Sequence, residues 1–480
     1  MKRYYITTAI PYVNAQPHIG FALELIQTDA VARFHRQLGE DVWLLTGTDE
    51  NALKNVQAAE QAGQLTKDFV TEMSAKFRQL TTILEISNDD FIRTTEKKHH
   101  LGAQKLWRSC KPQDIYRKSY SGLYCVGCEQ FYTEPELING QCPEHKTKPE
   151  VVSEENYFFK LSNYQKQLEV LIAKDKLKIV PDSRKNEMLS FIRQGLEDFS
   201  ISRSRERAKG WGVAVPGDES QVMYVWFDAL SNYLTALGYA DDAEAYHQWW
   251  TDNPNRVHII GKGISRFHCI YWPAMLLSAG LPLPTEIFIH GYVTINNEKI
   301  SKSLGNTVDP LQLVKQYGVE PVRYYLLREI PAYEDGDYSE DKFRQRYASD
   351  LQNGLGNTFS RLTNMVEQYL GGKLPGKVKS KLNTKLVTDS LHNFRFDVAL
   401  TAIWSWLKAV DQEVDDAKPW LLAKQGEQIQ LTTLLDRWCA ILLEVGKQLA
   451  PFMPQTAEII QKALTADKIT KAEPLFPRLQ

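Results

Sequence analysis

The sequence of 480 residues lacks any apolar run approaching the roughly 18 residues that a membrane-spanning helix needs. Its first thirteen residues include two basic side chains but no apolar segment long enough for a secretory signal peptide. These two absences argue against an integral membrane protein and against secretion by a signal peptide. They predict a cytoplasmic protein with no membrane partner.

Net charge is also nearly absent. The chain has 57 Lys and Arg against 59 Asp and Glu, which gives a formal net charge of -2. The molecule as a whole therefore offers no electrostatic attraction to phosphate, and any contact with nucleic acid must come from local basic patches. The hydrophobic fraction of 43% is ordinary for a globular protein, and the length predicts several domains.

Cysteine is scarce, with six residues in the chain, and its distribution is uneven. Three cysteines fall within residues 125–142, whereas the other three are scattered: Cys110, Cys269 and Cys439. A local cluster in a chain without secretion signals indicates a metal site rather than a disulfide framework.

The clustered cysteines belong to two short motifs, Cys125-Val126-Gly127-Cys128 and Cys142-Pro143-Glu144-His145. Each motif presents a pair of ligands on its own tight turn, and thiolate with imidazole suits tetrahedral zinc. No acidic residue is placed to carry a water, so we expect a structural zinc held by Cys125, Cys128, Cys142 and His145, one per chain. The alternative is three buried thiols and an incidental histidine.

The N-terminal residues predict a βαβ unit. Residues 4–10 are rich in β-branched and aromatic side chains and predict a buried strand, residues 20–38 show helical spacing of apolar side chains, and residues 42–45 predict a second strand. Such strands pair in parallel, and ligands of parallel sheets bind outside the carboxyl ends of the strands. The turns that hold His18 and Asp49 are therefore expected to face one crevice.

The remaining sequence predicts an insertion and a helical region. Between about residues 116 and 219 the pattern breaks into short β segments, the cysteine cluster and helices. Residues 222–226, 257–260 and 286–290 predict strands that complete the sheet, with a helix over 265–279. Beyond residue 340, amphipathic stretches over 340–370, 384–416 and 428–448 predict an all-α domain. The fold class is therefore α/β with an insertion and a C-terminal helix bundle.

Two short strings carry chemistry suited to phosphate. His18 and Gly20 lie where the first strand turns into a helix, so backbone N–H groups, the helix dipole and an imidazole can meet an anion. Lys299 and Lys302 lie in a polar loop, from which two ammonium groups can close over a triphosphate. The simpler alternatives are an ordinary strand-to-helix turn and a loop whose lysines are only solvated.

Together, Pro17-His18-Ile19-Gly20 and Lys299-Ile300-Ser301-Lys302-Ser303 resemble the paired signatures of class I aminoacyl-tRNA synthetases. The resemblance implies a Rossmann-like catalytic domain that binds ATP with Mg²⁺ through five residues: His18, Gly20, Lys299, Ser301 and Lys302. Of these, His18, Gly20, Lys299 and Lys302 would act in catalysis. The reaction needs positioning and charge neutralisation rather than a general base: a substrate carboxylate attacks the α-phosphate, pyrophosphate leaves, and the terminal adenosine of a tRNA takes the acyl group.

Further segments resemble the methionyl-tRNA synthetase family over nearly the whole chain, among them Leu45-Thr46-Gly47-Thr48-Asp49-Glu50 and Tyr224-Val225-Trp226-Phe227-Asp228-Ala229. The resemblance implies that Asp49 holds the α-ammonium group of methionine and that Arg203 is an active-site arginine. The side chains that would line the pocket are Ile10, Tyr12, Trp226, Tyr233, Ile264, His268 and Trp272. A thioether is apolar and polarizable, which suits aromatic walls. Singly, Trp226 and Trp272 are equally typical of core residues.

The same resemblance implies the domain order. We expect the first half of the catalytic domain in 1–115, a zinc-containing connective insertion of the bacterial single-knuckle type in 116–219, the second half in 220–300, a signature-loop and stem-contact region in 301–345, and the anticodon-binding helix bundle in 346–480. Asn357, Arg361 and Trp420 are expected to read the anticodon of initiator and elongator methionine tRNA, by stacking and base-edge contacts. A monomer is expected.

The sequence departs from the family pattern at three places. Phe21 stands where a second histidine is usual, Asn51-Ala52 where His-Gly is frequent, and Gly263 where an aspartate is common. Loss of one donor near the phosphates costs about 1 to 3 kcal/mol of transition-state stabilisation if no other group replaces it. Two alternatives therefore stay open: a catalytically impaired tRNA-binding paralogue, and another class I nucleotidyl-transfer enzyme.

Overall fold

A computed structural model describes residues 1–143, 146–295, 298–299, 307–376 and 379–479. The chain forms two compact units. The first comprises Met1–Pro17, Gly39–Thr82 and Ser87–His290, and the second comprises His18–Leu38, Ile83–Ile86 and the residues from Gly291 onward. Both units are therefore built from segments that are discontinuous in sequence.

The strands and helices are numbered in chain order. The strands are β1 (Arg3–Thr8), β2 (Asp41–Thr48), β3 (Asp90–Arg93), β4 (Ile115–Cys125), β5 (Gln130–Tyr132), β6 (Glu150–Phe159), β7 (Lys178–Val180), β8 (Phe199–Ser200), β9 (Ser202–Ser204), β10 (Ala214–Val215), β11 (Asp218–Met223), β12 (Arg256–Gly261), β13 (Glu286–His290), β14 (Val293–Ile295), β15 (Glu298–Lys299) and β16 (Gly336–Tyr338). The helices are α1 (Ile19–Gln37), α2 (Leu53–Gln61), α3 (Thr66–Ile83), α4 (Lys97–Ser109), α5 (Gln165–Ala173), α6 (Asp182–Arg193), α7 (Val225–Leu230), α8 (Asn232–Thr235), α9 (Glu244–Tyr246), α10 (Trp272–Ala279), α11 (Pro310–Tyr317), α12 (Val319–Arg328), α13 (Glu340–Arg346), α14 (Asn357–Leu370), α15 (Lys385–His392), α16 (Phe396–Ala417), α17 (Pro419–Gln425), α18 (Gln428–Leu449) and α19 (Pro454–Thr465).

The first unit is organised by a parallel sheet in the order β3-β2-β1-β12-β13-β7. Its central strand β1 carries Tyr5 and Ile6, which are both fully buried, as the run of β-branched and aromatic side chains predicts. The predicted parallel pairing of β1 with β2 is confirmed, with Tyr5 opposite Trp43. The carboxyl ends of β1 and β2 consequently lie at the same edge of the sheet.

One predicted strand is wrong. Residues 222–226 do not continue the main sheet, because β11 ends at Met223 and pairs antiparallel with β9 and β10, while Val225 begins α7. A short apolar run fits a buried strand and a buried helix equally well, so periodicity alone could not separate the two. The sheet is completed instead by β12, β13 and β7. Strand β7 comes from inside the 116–219 segment that the sequence predicts as an insertion.

The cysteine cluster lies beside an antiparallel sheet in the order β5-β4-β6-β8. Strands β4 and β6 pair over their whole length, from Ile115 opposite Phe159 to Tyr124 opposite Glu150. Cys125 is the last residue of β4, and Cys128 lies in the turn that leads to β5. The hairpin therefore fixes the backbone on both sides of the first cysteine pair.

The second unit combines α1 with the C-terminal helices around a buried ion pair. Arg323 of α12 donates to Asp29 Oδ2 of α1 at 2.7 Å, and both side chains are fully buried. The remaining guanidinium hydrogens bond to carbonyl oxygens of Leu84, Pro451 and Phe452 at 2.9 to 3.3 Å. Every part of this unit's discontinuous chain thus contributes a partner to one guanidinium group.

The helical prediction for the C-terminal region is largely correct. The stretch 340–370 is helical throughout, as α13, a π-helix over Tyr347–Gly356 and α14, and 428–448 corresponds to α18. The stretch 384–416 is not one helix, because Phe394 adopts φ 55° between α15 and α16 and breaks it. Helices α11, α12, α17 and α19 lie outside the predicted stretches. None of the helices among the described residues is both long enough and apolar enough to cross a membrane.

Substituting Arg323 by methionine should lower the free energy of unfolding by about 3 kcal/mol, at the low end for a broken buried pair, because Arg33 still bonds to the Asp29 carboxylate at 2.7 Å. Urea denaturation followed by circular dichroism measures the change. The matched control is Lys462→Met, which removes an exposed ion pair with Glu458 and should change the free energy by at most about 1 kcal/mol. Equal losses in the two variants would contradict the role given to Arg323.

Candidate active site

The first candidate site lies in the first unit, at the carboxyl ends of β1 and β2. Asp49 follows β2, and its backbone N–H donates to Pro11 O at 2.9 Å, while Tyr12 pairs with Asp49 as an isolated parallel bridge. Ile10 and Tyr12 follow β1 directly. Parallel pairing of the two strands thus brings together three residues that the sequence predicted for one pocket.

A small cavity of about 20 Å³ opens at this edge. Its lining includes six of the predicted residues: Ile10, Asp49, Trp226, Tyr233, Ile264 and His268. Ala9, Ala229, Leu230 and Asn232 complete the lining. The walls are therefore mostly apolar and aromatic, with Asp49 as the only acidic group among the lining residues.

Ring stacking holds the aromatic walls in place. Trp226 is stacked on Phe267, with ring centroids 3.8 Å apart and an angle of 5° between the planes, and Tyr12 meets Trp226 edge to face at 6.2 Å. Trp272 is fully buried, and its ring lies 6.0 Å from that of Tyr233. Trp272 therefore supports a wall residue, although it is not among the residues that line the cavity.

Tyr233 and His268 form the polar part of the aromatic wall. Tyr233 Oη lies 2.8 Å from His268 Nε2, and His268 Nδ1 lies 3.0 Å from Ile264 O. Because a carbonyl oxygen only accepts, the ring proton lies on Nδ1, and Nε2 accepts from the Tyr233 hydroxyl. Burial lowers the pKa of His268 to about 4, so the imidazole is neutral near pH 7. The wall thus presents polar atoms without a net charge.

Arg203 is not among the residues that line this cavity. Its guanidinium donates to Tyr124 Oη at 2.8 Å and to Glu129 Oε2 at 3.0 Å, and both partners are buried. Glu129 adopts φ 54° directly after Cys128. The arginine therefore joins strand β9 to the turn that carries the first cysteine pair.

Cys125, Cys128 and Cys142, which form the described part of the predicted zinc knuckle, converge. Their sulfur atoms lie within 4.8 Å of one another. Cys128 Sγ and Cys142 Sγ are 3.4 Å apart. Tetrahedral zinc with Zn–S bonds of about 2.3 Å sets sulfur atoms roughly 3.8 Å apart, so the cluster has the dimensions of a metal site. His145, the predicted fourth ligand, lies outside the described residues.

The second candidate site lies in the second unit, at the N-terminus of α1. His18 is the N-cap residue, and its Nδ1 accepts from the Gly20 backbone N–H at 3.0 Å. A neutral imidazole with Nδ1 as acceptor carries its proton on Nε2. A Cβ at position 20 would lie 2.9 Å from His18 Cε1, so the capping imidazole itself requires glycine there. Phe21 is buried.

The segment after the lysine loop is bonded to this turn. The backbone N–H of Ile19 donates to Val308 O at 3.2 Å, and Val308 lies five positions after Ser303. Lys299 lies in β15, which pairs antiparallel with β14. Ser301 and Lys302 lie outside the described residues. The described ends of the loop and the His18 turn thus belong to one compact unit.

A third group of predicted residues lies on the surface of the helix bundle. Asn357 and Arg361 are one turn apart on α14, and the guanidinium carbon of Arg361 lies 5.6 Å from the ring centre of Trp420. Arg361 also donates to Asp415 Oδ1 at 2.7 Å. Trp420 is 38% exposed, which leaves much of the indole accessible.

Sequence reasoning singled out neither Lys54 nor Asp228. Lys54 Nζ lies 3.7 Å from the ring centre of Tyr12 and donates to Gly127 O at 3.2 Å, so it joins the cysteine turn to the cavity region. Asp228 is a fully buried carboxylate two residues after Trp226. In the sequence, the feature that could have indicated Asp228 is a charged residue inside the otherwise apolar and aromatic segment 224–229.

Comparison with known proteins identifies the family. The family model described as "tRNA synthetases class I (M)" matches residues 4–150 and 136–363. The chain belongs to this family. The chain is 42% identical over 489 residues to the methionine--tRNA ligase of Thermotoga maritima, covering 98% of this chain and 77% of the relative. It is 41% identical to that of Brucella suis, covering 97% and 93%.

Solved structures of the class I (M) family give the same result. Mycobacterium tuberculosis methionyl-tRNA synthetase in complex with methionyl-adenylate is 39% identical, with a TM-score of 0.93 and 100% of both chains covered. The apo form of that enzyme is 37% identical with a TM-score of 0.85, covering 100% of this chain and 99% of the other. The predicted family and class I synthetase fold are confirmed.

We expect the imidazole of His268 to show no titration between about pH 5 and 8, because its pKa of about 4 lies below this range. ¹⁵N NMR of histidine-labelled protein measures the ring, and His268→Asn assigns its signal. Unfolded histidine titrates near pH 6.5, so this group should favour unfolding as the pH falls from about 6.5 towards 4. A midpoint between about pH 6 and 7 would contradict the lowered pKa of His268.

Proposed function

We propose that the protein ligates L-methionine to its tRNA through a methionyl-adenylate, with release of pyrophosphate and then AMP. The observation that carries the proposal is the aromatic cavity with Asp49 at the carboxyl ends of β1 and β2, in a chain of the class I (M) family. Asp49 binds the α-ammonium group, and the thioether lies between Trp226, Tyr233 and His268.

The walls of the cavity account for selection of methionine. A thioether is apolar and polarizable, so stacked aromatic walls stabilise it, and the Tyr233 and His268 pair adds a polar contact for sulfur. A difference of one methylene in such a pocket is worth about 1 to 3 kcal/mol.

Positioning and charge neutralisation drive the activation step. The substrate carboxylate attacks the α-phosphate of ATP, and pyrophosphate leaves. His18 Nε2 donates to a phosphate oxygen, the positive end of the α1 dipole favours the anion, and Lys299 and Lys302 neutralise the charge that develops on pyrophosphate. The bond from Ile19 N to Val308 O supports this arrangement, because it holds the described end of the lysine loop at the His18 turn.

The cofactors follow from donor chemistry. Cys125, Cys128 and Cys142, with His145 as the fourth ligand, hold one structural zinc, because three thiolates within 4.8 Å suit a soft tetrahedral ion. Zinc supplies stability to the knuckle and takes no part in the reaction. ATP binds as its Mg²⁺ complex.

The helix bundle is the tRNA-reading surface. Trp420 offers an accessible indole on which an unstacked base can lie, and Arg361 and Asn357 offer donors and acceptors to its edges. The ion pair with Asp415 keeps the guanidinium beside the indole in the free protein. Anticodon recognition by these three residues extends to initiator and elongator methionine tRNA.

Pyrophosphate exchange into ATP should depend on methionine and be at least about tenfold slower with leucine, isoleucine and valine. His18→Ala should reduce the exchange rate about 100-fold with little change in KM for methionine, because it removes a donor used in the transition state. The matched control is His247→Ala, which removes a partly exposed histidine outside the site and should leave the rate unchanged. tRNA binding without any exchange would favour the impaired paralogue instead.

The wild type should contain about one zinc per chain, and Cys142→Ser should contain almost none and have a lower melting temperature. Inductively coupled plasma mass spectrometry measures the zinc content. Cys110→Ser serves as the matched control, because Cys110 is buried but lies outside the cluster, so the zinc content should persist. Full zinc content in the Cys142 variant would exclude this ligand set.

A further inference from the structure

Two buried carboxylates, Asp49 in the lining of the cavity and Asp228 outside that lining, are joined by one asparagine. Asp49 is 2% exposed and Asp228 is fully buried. The backbone N–H of Asn51 donates to Asp49 Oδ1 at 3.1 Å, and its side-chain amide donates to Asp228 Oδ2 at 3.1 Å. The residue that replaces the family's usual histidine thus bridges the two acids with a group that carries no charge and no titratable proton.

No cation is bonded to either carboxylate in the described part of the chain, where no Lys or Arg nitrogen lies within 4.0 Å of them. The nearest cations already have other partners: Lys54 bonds to Gly127 O and covers the Tyr12 ring, and Arg203 bonds to Glu129 and Tyr124. Glu129 adds further negative charge near Asp49. Two buried negative charges without a bonded counter-charge are unfavourable.

A histidine faces the second carboxylate. His99 Nε2 lies 3.6 Å from Asp228 Oδ1, and neither atom has a hydrogen-bond partner among the described residues. His99 Nδ1 contacts Thr235 Oγ1 at 2.9 Å, and that hydroxyl donates to Asn232 O. With the hydroxyl so directed, the ring proton lies on Nδ1 and Nε2 is an acceptor, so a proton on Asp228 Oδ1 would satisfy both facing atoms.

We propose that Asp49 and Asp228 share one proton in the ligand-free protein, and that binding of the substrate ammonium group to Asp49 releases this proton to solvent. The exchange conserves charge, because one cation enters as one proton leaves. Asp228 is a positioning residue: its charge helps to set whether Asp49 is protonated, and it does not touch the substrate. The inference rests on the proposed function, since it takes an α-ammonium group as the ligand of Asp49.

The electrostatics of the cluster agree with this exchange. Burial raises the pKa of both carboxyl groups well above their usual range, and the charge of Asp228 adds to the shift at Asp49. Lys54 opposes the shift at Asp49 and Arg203 opposes it at Asp228, each from a distance. Burial lowers the pKa of His99 to about 3, so the shared proton stays on a carboxylate. The affinity for an ammonium ligand therefore rises with pH while the pair remains protonated.

Isothermal titration calorimetry of the full chain with methionine, in buffers of different ionisation enthalpy, counts the protons released. We expect about one proton at pH 7, and the same number with L-methioninol, which keeps the ammonium group but lacks the carboxylate. Asp228→Asn should bind methionine with less than about half a proton released. The matched control, Asp252→Asn, replaces a carboxylate outside the cluster and should behave as the wild type.

Saturable binding with no proton released by the wild type would overturn the proposal, and an unchanged count in Asp228→Asn would overturn the role of that residue. Absence of methionine binding would refute the proposed function instead. If Asp228→Asn does not fold, the wild type alone decides: its Kd should fall about tenfold per pH unit below the pKa of the pair. A Kd independent of pH from about 5.5 to 8 would contradict the shared proton.

Discussion

The parallel pairing of β1 with β2 and β12 is the constraint on which the cavity depends. Parallel strands end at the same edge of a sheet, so residues far apart in sequence, such as Ile10 and Asp49, become neighbours without any contact of their own being needed. The aromatic walls are then supplied by helices that follow β11 and β12, and ring stacking fixes them. The pairing of the strand backbones thus sets the position of the cavity, and a few side chains at the carboxyl ends of the strands set its chemistry.

Buried charge is the second organising feature of both units. Two buried arginines have partners drawn from distant segments: Arg323 bonds to Asp29 and three carbonyl oxygens, and Arg203 bonds to Glu129 and Tyr124. Asp49 and Asp228 differ from these, because they accept hydrogen bonds from amide and hydroxyl groups and, among the described residues, no guanidinium or ammonium group is bonded to them. A site that lacks a counter-charge of its own is suited to a substrate that brings one.

The sequence predicted the family, the parallel sheet, the cysteine cluster and most pocket residues, because motif spacing and hydrophobic periodicity carry that information locally. The role of Trp226 in a helix rather than a strand was not predictable, since a five-residue apolar run fits either element. The environment of Arg203 and Asp228 was not predictable either, because their partners are distant in sequence. Glu129 is 74 positions from Arg203, and Asn51 is 177 positions from Asp228. His99 also reaches Asp228 only through the fold. The capping imidazole of His18 leaves little room for a side chain at Gly20, and this contact is not visible in the sequence alone.

The buried Arg323 and Asp29 pair limits how this chain can be divided. A fragment that begins at Gly291 keeps the guanidinium but lacks both the carboxylate of α1 and the carbonyl of Leu84. Such a piece would carry an uncompensated cation in its interior, so the helix bundle cannot be excised along sequence boundaries as an autonomous module. Any piece of the chain meant to keep this pair intact must therefore include residues 18–38 together with the residues from Gly291 onward.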